Sequence, residues 1–128
     1  MNNKILVGSV LSTMLFFSMP VSSDEFLNGF KAAEQHDYKV AVQKWERLAK
    51  RGDPNAQFML GMMYHSGIAG EQDEVAAVNL YKKAAEGGNL VAQEYLAIAY
   101  KEGWFGLKVN KKQAKYWENK VRMAGDFR

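Results

Sequence analysis

The chain has 128 residues and a mass of 14.5 kDa, which is enough for one small domain or a short array of repeats. Hydrophobic residues make up 48% and charged residues 24%, a balance typical of globular proteins rather than of disordered ones. The absence of cysteine excludes disulfides and thiolate zinc sites, and a net charge of +3 is too small and too mixed to indicate a nucleic-acid partner.

The first 23 residues are typical of an export signal. Lys4 is the only charged residue among them, an apolar stretch runs from Ile5 to Met19, and Pro20 ends it. A membrane-spanning helix needs ~20 mostly apolar residues, and this stretch has 15 and contains serine and glycine. Small residues after the proline favour cleavage at residue 23, with a retained anchor as the alternative. We therefore expect an exported protein, periplasmic or secreted, with a domain over residues 24–128 and no stable membrane span.

The remainder of the chain predicts six helices. Apolar residues recur at the i, i+3, i+4 spacing of amphipathic helices, and no segment alternates in polarity as a strand does. Asp or Asn stands at several predicted helix starts and Gly at several ends, which are the usual caps. The predicted helices cover residues 24–35, 38–51, 55–65 (opened by Asp53 and Pro54), 73–86, a segment after Asn89, and a segment that begins near Asn110.

The chain also repeats itself at an offset of 36 positions. Self-similarity with a period of 20–50 residues indicates stacked supersecondary units. A third, partial copy follows, in which Ala114 and Trp117 match Ala77 and Leu80 at an offset of 37. The matches at 36 are Ala41, Ala49, Gly52, Ala56, Gln57, Leu60, Tyr64 and Gly67, which recur as Ala77, Ala85, Gly88, Ala92, Gln93, Leu96, Tyr100 and Gly103.

We predict an all-α solenoid, a right-handed stack of three helical hairpins over residues 24–52, 53–88 and 89–125. A single hairpin cannot bury its apolar stripe alone, so the three hairpins must share one core. The residues predicted to pack the repeats together are Ala41, Trp45, Ala56, Leu60, Gly61, Tyr64, Ala77, Tyr81, Ala92, Leu96, Tyr100, Ala114 and Trp117.

The segments 56–67 (AQFMLGMMYHSG) and 73–89 (DEVAAVNLYKKAAEGGN) resemble the Sel-one-like repeat (SLR), a relative of the tetratricopeptide repeat with a longer loop in each hairpin. The first hairpin is similar to a plain tetratricopeptide unit. The resemblance implies an α-α superhelix and a scaffold or adaptor that holds protein partners in the bacterial cell envelope. The chain departs from the pattern at Ala97, which stands where Gly61 stands one repeat earlier, and in the loop with the Trp104-Phe105 pair.

A partner-binding surface is expected on the concave side, which the first helix of each hairpin lines in such stacks. Apolar residues on a face that should contact water favour a groove for a peptide or a helix. The alternatives are that terminal helices cover this face or that the array pairs with itself as a homo-oligomer. The Trp104-Phe105 loop is a second candidate, or it closes the base of its own hairpin. The predicted binding residues are Phe58, Met62, His65, Glu94, Ile98 and Lys101.

Motifs that carry chemistry are missing from the sequence. It has no nucleophile elbow, phosphate loop, paired zinc histidines or calcium loop, and His36 and His65 stand far apart along the chain. We therefore expect no catalytic residue, no metal and no cofactor. Two alternatives to a binding scaffold stay open: a self-associating structural module, and a β-lactamase-like hydrolase, a label that the resemblance brings from some exported, cysteine-rich family members.

Overall fold

The computed structural model describes residues 23–126, and within them the chain is all-α. Of the predicted export signal, residues 1–23, only the last residue lies within the described part, where it begins the first helix. None of the described helices is long and apolar enough to cross a bilayer. The helices are α1 (Ser23–Glu34), α2 (Tyr38–Lys50), α3 (Pro54–Ser66), α4 (Glu74–Glu86), α5 (Leu90–Glu102) and α6 (Lys111–Gly125).

Side-chain caps set where five of these helices begin. In each case an Asp or Asn oxygen accepts a hydrogen bond from the backbone N–H three residues later, which satisfies a donor that the first helical turn leaves free. The predicted helix starts are confirmed for this reason. Gly67 and Gly103 end α3 and α5 at φ +69° and +75°, a left-handed conformation that glycine adopts at little cost. The caps are Asp37, Asp53, Asp73, Asn89 and Asn110.

The helices pair as three hairpins, α1 with α2, α3 with α4 and α5 with α6, and each hairpin packs on the next through α2 with α3 and α4 with α5. Two buried clusters form the core, one around Trp45 and one around Tyr81. The side chain of Met59 packs against both clusters. The hairpins therefore share one continuous apolar core, as a solenoid requires.

The packing residues of the repeat lie in this core or at its margin. Tyr64 and Tyr100 are partly buried, and the Tyr64 hydroxyl donates to Glu46 Oε1 at 3.4 Å. Burial, followed by the Glu46 charge, raises the pKa of this phenol. The remaining members are buried: Ala41, Trp45, Ala56, Leu60, Gly61, Ala77, Tyr81, Ala92, Leu96, Ala114 and Trp117.

Buried glutamines join successive hairpins at equivalent positions. Gln57 Nε2 donates to the carbonyl oxygen of Ala49 at 3.3 Å, and Gln93 Nε2 donates to that of Ala85 at 3.0 Å. Each carbonyl lies in the last turn of the preceding helix and also accepts from the backbone N–H of Gly52 or Gly88, so the glutamine adds a second bond to it. Since the two glutamines are 36 positions apart, the sequence period corresponds to a repeated hydrogen bond in the structure.

The first hairpin closes on a tryptophan. Trp45 is fully buried, its indole N–H donates to the carbonyl oxygen of Phe26 at 3.3 Å, and the ring of Phe30 contacts it edge-on at 5.3 Å. Gly29 lies against the indole so closely that a Cβ there would be 2.6 Å from Trp45 Cε2. Only glycine therefore lets α1 approach α2 this closely.

Candidate functional site

An open hollow lies between α3, α5 and the loop that joins α5 to α6. Its volume is ≈ 340 Å³, and we call it the aromatic hollow. Helix α3 contributes residues of its last turns, α4 and α5 contribute two tyrosines, and the loop contributes its aromatic pair. The lining residues are Met62, His65, Ser66, Tyr81, Tyr95, Ile98, Trp104 and Phe105.

Tyr81 forms the floor of the aromatic hollow. Its side chain is 1% exposed, and its ring lies 5.6 Å from that of Phe58, 5.7 Å from that of Tyr95 and 5.8 Å from that of Phe105. Gly61 on α3 makes room for it, because a Cβ at that position would lie 2.8 Å from Tyr81 Cε1. Burial, with a smaller contribution from Tyr95, raises the pKa of the Tyr81 phenol to about 12. The phenol is therefore neutral at physiological pH, and the floor carries no charge.

The rim of the hollow is apolar and open to solvent. Met62 is 39% exposed, Ile98 is 41% exposed and Trp104 is 52% exposed. His65 also lines the hollow, and its Nδ1 is buried without a hydrogen-bond partner among the described residues. Contiguous exposed apolar surface of this kind marks sites of interaction in soluble proteins.

A second groove, of ≈ 370 Å³, adjoins the aromatic hollow and shares Ile98 with it; we call it the charged groove. It lies between α5 and α6, and its walls carry charges of both signs. It contains the predicted residues Glu94 and Lys101 as well as Ile98. The full lining is Glu94, Ala97, Ile98, Lys101, Glu118, Val121 and Arg122.

The predicted binding residues therefore divide between two neighbouring sites. Met62 and His65 line the aromatic hollow, Glu94 and Lys101 line the charged groove, and Ile98 lies between the two. The structure does not place these five residues in one continuous groove.

Phe58 requires a correction, because it does not lie on an open face. Its side chain is 8% exposed, and its ring contacts that of Tyr95 edge-on at 5.4 Å as well as that of Tyr81. The reason is that Tyr81 of α4 and Tyr95 of α5 close over this position of α3. Phe58 thus supports the floor of the hollow from within the core.

The position equivalent to Phe58 in the last hairpin is Glu94, 36 residues later, and it is exposed. In the same way Ala85, which is buried, is replaced by the exposed Arg122, at the offset of 37 that relates α6 to α4. Charged residues therefore occupy positions of α5 and α6 whose counterparts in the middle hairpin are covered by the next helix. Because Glu94 and Arg122 line the charged groove, these replacements explain its charges.

The loop after α5 contributes more to the site than the sequence indicated. Phe105 does not close only its own hairpin: its ring contacts His65 of α3 at 4.8 Å and Tyr81 of α4, in addition to Tyr95 of α5 at 6.3 Å. Sequence reasoning also assigned Tyr81 to packing alone and did not single out Tyr95 as a site residue. The signal in the sequence that could have indicated this role of the loop was the Trp104-Phe105 pair next to a glycine.

Among the described residues, no three His, Cys, Asp or Glu side chains are grouped so that they could hold a metal ion. His36 lies far from the hollow in the turn after α1, where its Nδ1 is 2.9 Å from the Tyr38 hydroxyl. The hollow itself presents aromatic rings, a methionine, an isoleucine and few polar groups. Its chemistry suits the binding of an apolar side chain.

The model of the Sel1 repeat family matches residues 54–89 and 90–118. Protein sel-1 homolog 2 from Homo sapiens is 38% identical over 64 residues, which are 50% of this chain and 9% of that relative. An ERAD-associated E3 ubiquitin-protein ligase component from Arabidopsis thaliana is 28% identical over 90 residues, which are 65% of this chain and 13% of that relative. The chain thus spans only a small part of the curated relatives it matches.

Two solved structures share the fold. A Sel1 repeat protein from Oxalobacter formigenes superposes with a TM-score of 0.64 at 34% identity, over 68% of this chain and 36% of that one. A protective antigen with an SLR fold, present in uropathogenic Escherichia coli strains, superposes with a TM-score of 0.64 at 31% identity, over 78% of this chain and 23% of that one. The same repeated hairpin thus recurs in longer bacterial chains.

Proposed function

The chain belongs to the Sel1 repeat family, and from this premise we propose that the protein is a non-catalytic scaffold of the bacterial cell envelope that holds a protein or peptide partner. Sel1 repeats generally mediate protein–protein interactions. The binding position is the aromatic hollow, with the charged groove beside it as its polar margin.

The observation that carries the proposal is the combination of an aromatic floor with an exposed apolar rim. Met62, Ile98 and Trp104 place apolar surface in water around a concavity of ≈ 340 Å³. Pockets of about 300 Å³ and more are of the size that binds ligands, and interface energy concentrates where an aromatic or aliphatic anchor fills such a pocket. Because the helices fix the floor of the hollow without a partner, binding requires little ordering of the helical scaffold.

The side chains of the hollow favour binding over catalysis. The one serine in the lining, Ser66, donates through its hydroxyl to the carbonyl oxygen of Met63 at 3.2 Å and accepts from the N–H of Ile68 at 3.4 Å. Both bonds join the Ser66 hydroxyl to the backbone at the end of α3. A nucleophilic serine instead needs its hydroxyl to donate to a base within hydrogen-bond reach. A hydrolase would have to use other groups, and a nitrocefin assay on the purified protein tests for one.

Export is part of the proposal and rests on the pattern of the first 23 residues. The test is to fractionate cells that express the chain with a C-terminal tag and to measure the molecular mass of the purified product by mass spectrometry. We expect periplasmic or secreted protein whose N-terminus is Asp24. Full-length protein in the cytoplasm would contradict the proposed location.

Partner binding is tested by placing a photo-crosslinking amino acid at Met62 or at Ile98. The matched control is Val75 on α4, which is 73% exposed but does not line either groove. We expect one protein to be cross-linked in cells from both hollow positions and not from the control. Equal cross-linking from all three positions, or none from the hollow, would contradict the site.

Self-association is a second candidate function, because apolar residues are also exposed on the first and last helices. Leu27 on α1 and Met123 on α6 are both exposed. Contact between such faces of successive copies would be head-to-tail and open-ended. Light scattering across a range of concentrations tests it: mass that rises with concentration supports self-association, and a strict monomer contradicts it.

A further inference from the structure

Phe105 already occupies one side of the aromatic hollow. Its ring contacts His65 edge-on at 4.8 Å with an interplanar angle of 89°, and it stacks nearly parallel to Tyr95 at 6.3 Å. Phe105 belongs to the loop between α5 and α6, and not to any helix that builds the floor. The protein therefore shows directly which kind of side chain this surface accepts, namely an aromatic ring.

The loop that carries Phe105 is built on left-handed backbone. Phe105 itself has φ +57°, and Gly103 and Gly106 on either side have φ +75° and +70°. A bulky residue in this conformation is strained, and such strain persists most often at ligand clamps and switch regions. The glycines nearby adopt other conformations easily, so the loop has hinges on both sides of its strained residue.

A second unfavourable feature lies against the same ring. His65 packs against Phe105, and its buried Nδ1 has no hydrogen-bond partner among the described residues. A buried polar atom without a partner destabilises the arrangement that buries it. We expect movement of Phe105 away from the imidazole to lower this cost in the free protein, because water then reaches this side of the ring.

We propose that Phe105 is an autoinhibitory occupant of one side of the aromatic hollow, the side formed by His65, Tyr81 and Tyr95, from which an aromatic side chain of the partner displaces it. This inference rests on the proposed function. The incoming ring recovers the contacts that Phe105 gives up, while the backbone strain at residue 105 is relieved. The exchange therefore favours an aromatic partner residue over an aliphatic one, which recovers no edge-on ring contacts.

The first test compares wild type with Phe105→Ala in binding to N-acetylphenylalaninamide and N-acetylleucinamide, followed by NMR shifts of the Tyr95 backbone amide. When a competent state is populated at 0.1–10%, removing the internal competitor tightens binding by about tenfold or more. We expect this gain for the phenylalanine probe and a smaller one for the leucine probe. The matched control is Lys108→Ala, an exposed position in the same loop, which should bind as wild type does. Unchanged or weaker binding by Phe105→Ala would overturn the proposal.

The second test does not depend on how the alanine variant folds. A 4-fluorophenylalanine at position 105 reports its own surroundings by ¹⁹F NMR. Saturation of the otherwise unchanged protein with N-acetylphenylalaninamide should move this signal to a solvent-exposed shift and increase its response to a paramagnetic relaxation agent. A signal that stays buried while the probe binds would overturn displacement. Cross-linking of a partner from Met62 and Ile98 is independent of either result, so the scaffold function and the role of Phe105 fail separately.

Discussion

The repeat provides a matched pair of substitutions that tests the packing beneath the hollow. Phe58 and Glu94 occupy equivalent positions 36 residues apart, yet Phe58 is 8% exposed between Tyr81 and Tyr95, whereas Glu94 is exposed. Truncation of a buried Phe to Ala costs about 3–5 kcal/mol in the free energy of unfolding. The adjoining hollow gives the site room to relax, so we expect the lower end, about 3 kcal/mol, for Phe58→Ala. Glu94→Ala should change it by no more than about 0.5 kcal/mol.

Urea unfolding followed by circular dichroism at the helix band measures both variants. With a dependence on urea of about 1–3 kcal/mol per molar, the midpoint of Phe58→Ala should fall by about 1–3 M, while that of Glu94→Ala should match wild type. The slopes should be unchanged, since neither substitution alters the surface exposed on unfolding by much. Equal midpoints for the two variants would refute the placement of Phe58 in the core. Phe58→Asp would bury an unpaired charge at this position, so a loss of binding by that variant would reflect disrupted folding.

Three further predictions concern single features of the fold. Gly29→Ala should lower the free energy of unfolding in urea by about 1–3 kcal/mol, because the new methyl group overlaps the Trp45 indole. Asn28→Ala on the same helix should leave it unchanged. Equal stability of the two variants would contradict the close approach of α1 and α2. Asn89→Ala removes the cap of α5 and should cost about 1 kcal/mol, and a loss below about 0.3 kcal/mol would contradict the cap. The pKa of Tyr81 is raised from 10.0 to about 12, so its contribution to the free energy of unfolding should be fully present below pH 10 and should be lost as the pH rises through 12. Urea midpoints across that range should fall less for Tyr81→Phe than for wild type. An equal fall in both proteins would contradict the raised pKa of Tyr81.

The helices and their order were predictable because their signals are local. Asp53 with Pro54, and Asn89 after a glycine pair, give each helix a start that depends only on neighbouring residues. The repeat then supplied the stacking, since matched positions such as Ala56 and Ala92 must meet equivalent neighbours. These features do not require knowledge of the tertiary structure.

The open face of α3 was not predictable in the same way. Phe58, Met59, Leu60, Met62 and Met63 place apolar residues on nearly every side of this helix. A period of 3.6 residues therefore cannot tell which side the next hairpin covers. The prediction placed Phe58 and Met62 on one exposed face, whereas α4 and α5 cover the first and leave the second open.

The contacts that Phe105 makes could not be predicted from the sequence, for a different reason. Its contacts with His65 and Tyr81 span 40 and 24 positions of the chain and depend on the left-handed backbone of its loop. The sequence shows an aromatic pair beside glycine, but it does not show where such a loop folds back. Tertiary packing alone decides this.

The affinity of the partner cross-linked from the hollow tests the central claim most directly. Calorimetry should compare wild type with Met62→Asp, Ile98→Asp and the control Val75→Asp, after circular dichroism has shown equal helicity. If the aromatic hollow holds the partner, each of the first two substitutions weakens binding by about tenfold or more, the effect of losing about 1.4 kcal/mol of apolar contact, and the control binds as wild type does. Wild-type affinity in both hollow variants would contradict the account.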